Sequence, residues 1–182
     1  HLMAHVIEQN TLRLEAVFDG ERPVGSTRDM RTWYTTRVAE PTQRSQISHI
    51  VVDSGWEKYA ANVAETHPDV AAWAKNDHLG FHILYLWNGT KRKYIPDFLV
   101  RFKSGKTLVL EIKGEDSPQD QAKRRAMDQW VQAVNAQGGL GIWAWDVVVG
   151  SMAAMQDVMA KHASQAGIDD ARHSDNLTSE TV

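Results

Sequence analysis

The fold turns on residues 94–114, YIPDFLVRFKSGKTLVLEIKG. Two apolar runs, at about 95–102 and 107–113, flank a short turn that contains Gly105 and read as the arms of a β-hairpin. Side chains alternate faces along a strand, so Phe98, Val100 and Phe102 share one face of the first arm, and Leu108, Leu110 and Ile112 one face of the second. A two-residue loop at Ser104-Gly105 would set Phe98 opposite Glu111. A three-residue loop with Gly105 left-handed, a type I turn followed by a bulge, sets Phe98 opposite Leu110. Only the second buries both apolar sets on one side. It also sets Asp97 across from Glu111, with Lys113 two residues further along the same face.

Cross-strand neighbours lie about 4.5–5.5 Å apart at Cβ, close enough for two carboxylates to grip one cation. Such a pair repels unless a proton or a metal sits between, and hard oxygen donors suit Mg²⁺ or Mn²⁺. A Mg²⁺ with few protein ligands keeps waters, and Lys113 is placed to orient one of them or to neutralise charge developing on a phosphate. Taken singly, Asp97 is an ordinary turn residue and Glu111 with Lys113 an ordinary solvated strand face. Their conjunction in one register carries the chemical reading.

Upstream, 11–20 and 27–38 read as extended segments, and ISHIVVDSG (47–55) as a short β-branched run. WEKYAANVAETH (56–67) has helical spacing, DVAAWAKNDHLG (69–80) reads as a second helical piece, and FHILYLW (81–87) as a strand before the Asn88-Gly89 turn. Downstream, Ser117, Pro118 and Asp120 mark a helix start, Ala122, Ala126, Trp130, Val131 and Val134 form its apolar stripe, and Gly138-Gly139 end it. IWAWDVVV (142–149) reads as a strand buried on both faces, 152–165 as a last helix and 167–182 as a flexible tail. From residue 56 the expected order is helix, three strands, helix, strand: a mixed central sheet flanked by helices, in the α/β class.

The chain has 182 residues, no cysteine and a net charge of −3. The length suits one domain with a full core, the missing cysteines exclude a disulfide framework and suit the cytoplasm, and no stretch approaches the roughly 20 apolar residues of a membrane span. The acidity argues against a free-standing, high-affinity nucleic-acid binder, leaving only local basic groups: Lys91-Arg92-Lys93, Lys103 with Lys106, and Lys123-Arg124-Arg125. Each is equally an ordinary solvated face. His78 and His82 are spaced i, i+4, but Gly80 falls between them, so a shared helical metal face is not expected. The seven Trp residues suit packing better than base stacking, and SGKT (104–107) lacks the first glycine and the following helix of a P-loop. The opening His1-Leu2-Met3 has the look of a cloning remnant, which would make the chain an excised fragment.

With Pro96-Asp97 followed by Glu111-Ile112-Lys113, the chain resembles the PD-(D/E)XK nuclease superfamily and its restriction-endonuclease-like αβββαβ core. SHIVVDSGWE (48–57), KNDHLGF (75–81), LEIKGE (110–115) and GIWAWDV (141–147) are similar to the C-terminal endonuclease region of type III restriction subunits and related helicase-nucleases, and VGSTRDMRTWYTTR (24–37) to the segment before it. The resemblance implies a Mg²⁺-dependent DNA endonuclease, with Mn²⁺ able to substitute. It implies metal ligation by Asp97, Glu111 and the Ile112 carbonyl, and assistance to the attacking water by Lys113. Many members add a helical acid, for which Glu57 is the candidate, the alternative being an exposed first-turn Glu that favours the helix dipole. Lys123 is a candidate DNA contact beside Lys91, Arg92 and Lys93, or else a solvated helix charge.

The implied organisation is a 1–46 extension from an upstream motor, a nuclease domain over 47–166, and the tail. ATP would enter only through that motor. The implied partners are double-stranded DNA, the helicase region and a DNA methyltransferase subunit, in phage defence by restriction. The rival reading is a non-enzymatic docking or DNA-binding module on a nuclease-like fold. An unrelated metal-dependent hydrolase is a third.

Overall fold

In the computed structural model, residues 2–7, 11–16, 25–114 and 117–164 are described. The expected tail at 167–182, and the part of the first extended segment beyond Ala16, lie outside these residues.

The hairpin at the centre of the chain is built from β8 (Phe98–Phe102) and β9 (Thr107–Lys113). Phe98 pairs with Leu110 and Val100 with Leu108, the register in which both apolar sets share a face. The turn follows from Gly105: its φ of 87° lies in the left-handed region, its N–H donates to the Phe102 carbonyl, and the Phe102 N–H donates to that of Lys106. This is the three-residue loop that the alternation selects.

Around the hairpin stands a four-stranded mixed sheet. β5 (Val70–Lys75) runs antiparallel to β8, and β10 (Trp143–Val149) runs parallel to β9, giving the order β10-β9-β8-β5. Residues 69–80 were expected to be helical, and this is corrected: Val70–Lys75 is a strand, because pairing with β8 and burial of Val70 and Trp73 outweigh the helix propensity of its three alanines. The expected strand at 81–87 exists as β6 (Ile83–Trp87). Among the described residues it pairs only with β7 (Thr90–Tyr94), in a two-stranded ribbon closed by Asn88 and Gly89, both at positive φ. The three consecutive antiparallel neighbours of the sheet are thus β5, β8 and β9.

Helices cover both faces. α1 (Gly55–Thr66), capped by Ser54, brings Ala60, Ala61 and Ala64 against Phe98, Val100, Leu108 and Leu110. These small side chains let the helix approach the sheet closely. α3 (Met152–Ser164) packs Met155 and Met159 on the same side. On the other face, α2 (Pro118–Gln137) sets Ala122, Met127 and Val131 against Val109 and against Ile83, Tyr85 and Tyr94 of the ribbon. β10 is covered on both faces as expected, with Ala144 and Val148 towards α3 and Trp143 and Trp145 towards α2, but as the edge strand it is mostly half-buried; Trp143 meets Trp130 edge-on at 5.1 Å.

Before this core, β1 (Leu2–Ile7) pairs antiparallel with β2 (Thr11–Ala16), and β3 (Ala39–Pro41) with β4 (His49–Val51). The extended segment expected over 27–38 instead opens with a 3-10 turn at Thr27–Asp29, where Ser26 and Asp29 cap each other's backbone. Among the described residues, no helix is long and apolar enough to cross a membrane.

Candidate active site

Pro96 is buried and delivers the chain to Asp97, one residue before β8 begins. Asn76, just past β5, fixes this entry twice: its backbone N–H donates to the Asp97 carbonyl at 2.7 Å, and its side-chain amide to the Pro96 carbonyl at 2.9 Å. Asp97 Oδ2 accepts from the backbone N–H of Ile112 at 2.7 Å, which ties its carboxylate to β9 beside Glu111. The paired register ends at Phe98 against Leu110, and continued by one step it would set the two acids opposite each other.

Glu111 is 8% exposed, and its Oε2 accepts from the Tyr94 hydroxyl at 3.1 Å. Burial, and then the neighbouring Asp97 charge, push its carboxyl up to about 7, against the opposing pull of Lys113, Tyr94 and Lys123. Asp97 is also raised, by burial and by the charge of Glu57, with the Ile112 N–H, Lys75 and Lys113 acting the other way. Burial and Glu111 likewise hold the Tyr94 phenol above its ordinary range, so it serves as a hydrogen-bond donor.

Lys113 lies on the Glu111 face of β9, 3.4 Å from Glu111 Oε1, but its shorter contact is to Asp120 Oδ1 at 2.7 Å. Burial alone would lower this ammonium; Asp120 and Glu111 outweigh burial and raise it, so Lys113 is a fixed cation at neutral pH. Asp120 also accepts from Lys123 at 2.9 Å and, through Oδ2, from the N–H and hydroxyl of Ser117. Although burial works against it, these donors, Lys113 foremost, hold its carboxyl far below the usual range. One side chain thus caps α2 and fixes the lysine. Lys123, half-buried, stands 5.6 Å over the Tyr94 ring.

Glu57 lies on the α1 side of the sheet's end. Its Oε2 accepts from the Asp53 N–H at 2.9 Å and meets Lys75 Nζ at 3.0 Å. Among the described residues, no group of three or more His, Asp or Glu side chains converges to hold a metal ion. Asp97 and Glu111 are brought together; Glu57 is held by Lys75. The donor chemistry of the pair suits a hard divalent ion nonetheless, since both carboxyls are raised by burial, and Glu111 also by the Asp97 charge, which creates a demand for positive charge, and Mg²⁺ fills its remaining positions with water. Lys91, Arg92 and Lys93 are exposed along β7, whose last residue is Tyr94. His78 and His82 lie in the irregular connection between β5 and β6.

Three participants escape a reading of the sequence. Lys75 is hidden by the helical look of its segment, Tyr94 by the basic run before it, and Asp120 reads only as a cap. Searches against protein-family models, curated proteins and solved structures found no match to this chain.

Proposed function

We propose that this chain is a PD-(D/E)XK-type, Mg²⁺-dependent endonuclease domain that hydrolyses DNA phosphodiester bonds, of the kind found in type III restriction subunits and related helicase-nucleases. The observation that supports it most is the convergence of Asp97, Glu111 and Lys113 at one end of adjacent strands, two raised carboxylates beside a fixed ammonium. The succession α1, β5, β8, β9, α2, β10, with β10 parallel to β9, accords with the αβββαβ plan of that superfamily.

Asp97, Glu111 and the Ile112 carbonyl would hold the ion, which supplies Lewis-acid polarisation of the phosphodiester and a more acidic water. The Ile112 N–H and the Tyr94 hydroxyl orient the two carboxylates and leave lone pairs on each for ligation. Lys113, anchored by Asp120, presents a fixed ammonium to the phosphate oxygens, where negative charge grows during attack. Lys91, Arg92 and Lys93 on the exposed ribbon grip the DNA backbone, and Lys123 adds a charge beside Tyr94. In this reading the ATP-driven motor and a methyltransferase partner supply the sequence-specific grip, so a net charge of −3 is no obstacle.

The test is DNA cleavage by the full-length complex with Asp97→Ala and, separately, Lys113→Ala. Each is expected to reduce cleavage by at least about a hundredfold, a loss of transition-state stabilisation of this size being usual for such groups. Cleavage that persists in both removes the catalytic assignment and favours a docking module.

A further inference from the structure

Lys75 is a lysine at 4% exposure, placed in the last position of a sheet strand, where an apolar side chain would normally stand. Its ammonium gathers four oxygens: the Val51 carbonyl at 2.8 Å, Asp77 Oδ2 at 2.9 Å, Glu57 Oε2 at 3.0 Å and Asp53 Oδ2 at 3.3 Å. An ammonium has three protons, so this is the oxygen shell of a cation at hydrogen-bond lengths. The shell is built from separate elements: β4 ends at Val51, Asp53 and Glu57 belong to the entry and first turn of α1, and Asp77 follows β5. Arg37 pairs with Asp53 from outside.

Lys75 pairs across the sheet with Phe98, the residue after Asp97, so the cage adjoins the carboxylate pair. The charge of Glu57 acts on Asp97 directly, and that of Lys75 opposes it. Glu57 Oε2 already accepts from the Asp53 N–H and from Lys75. Drawing that carboxylate across to a metal at Asp97 would take from the ammonium its most buried charged partner and leave it the Val51 carbonyl and the more exposed Asp53 and Asp77.

We propose that Lys75 is the resident second cation of the site: a positioning residue that holds Glu57 in the cage, so that Asp97 and Glu111 bind one divalent ion and no second ion enters beside it. The inference rests on the metal-site reading of the Asp97–Glu111 pair and goes beyond it by fixing the number of ions and the partner of Glu57. A purely structural lysine would leave the metal count unchanged when replaced.

The test is Mn²⁺ binding to the whole chain, counted by calorimetry and by electron paramagnetic resonance of frozen solutions, for wild type, Lys75→Met and Lys75→Arg. Wild type and Lys75→Arg are expected to bind one ion with the signal of an isolated Mn²⁺. Lys75→Met, with the cage emptied of its cation and its three carboxylates left, is expected to bind two, with the broadened signal of a coupled pair. Two ions in wild type, or one in folded Lys75→Met, overturn the proposal and leave the metal site standing. No ion in wild type overturns the metal reading and this inference with it. Should Lys75→Met not fold, Lys75→Gln, which keeps a hydrogen-bond donor in the cage and removes the positive charge, takes its place with the same two outcomes.

Discussion

Glu111 is the residue on which sequence, fold and chemistry meet. Its position on β9 is set by alternation, its burial by α2 and the ribbon, and its raised carboxyl by that burial and by Asp97. The consequence for stability has a definite sign. A carboxyl at about 7 in the folded chain, against 4.5 ordinarily, contributes stability that is fully present below about pH 4.5 and is lost as pH rises through 7. The shift in Asp97 acts in the same direction. Metal-free protein is therefore expected to lose on the order of 2–3 kcal/mol between pH 5 and 8, seen as a falling melting temperature in the presence of a chelator. Glu111→Gln should flatten that fall, and saturating Mg²⁺ should flatten it in wild type, because the ion favours the ionised pair. A melting temperature that rises over this range would contradict the described environment of Glu111.

At the scale of elements, the β8–β9 turn decides which side chains form the core and which form the site. Gly105 sits at a φ of 87° with open space where a side chain would project, so Gly105→Ala meets backbone strain alone. The expected cost is about 1–2 kcal/mol in a urea titration, with the register retained. An unchanged midpoint would show that the turn is not the one described. This hairpin was legible in the sequence because Phe98, Val100 and Phe102 answer Leu108 and Leu110 with one glycine between them, and α2 was legible from Ser117, Pro118 and Asp120. β5 was not, since VAAWAK carries three alanines and its strand character comes only from its partner β8, remote in sequence. β7 was missed for a related reason. Thr90, Lys91, Arg92 and Lys93 are all exposed, so no apolar alternation marks the strand. Of the site, Asp97, Glu111 and Lys113 were readable because one local register unites them. The attachment of Glu57 to Lys75 was not, because it joins α1 to a strand read as helical.

For the molecule as a whole, a mixed sheet between two helical layers places the carboxylate pair at one end and a basic ribbon beside it, joined through Tyr94 and its bond to Glu111. Under the proposed function an acidic chain would hold DNA by local charge, and that grip would be sensitive to salt. Replacing Lys91, Arg92 and Lys93 together with alanine is expected to weaken binding to DNA of any sequence, and to reduce the slope of log affinity against log salt by about 2–3 in a fluorescence anisotropy titration. An unchanged slope would place the DNA path elsewhere. The central claim, that Asp97 and Glu111 form a divalent-metal site, is tested most directly by anomalous scattering from a crystal soaked in Mn²⁺. The account predicts a peak bridging the two carboxylates, with Lys113 still on Asp120; a crystal that shows no Mn²⁺ between Asp97 and Glu111 would contradict it.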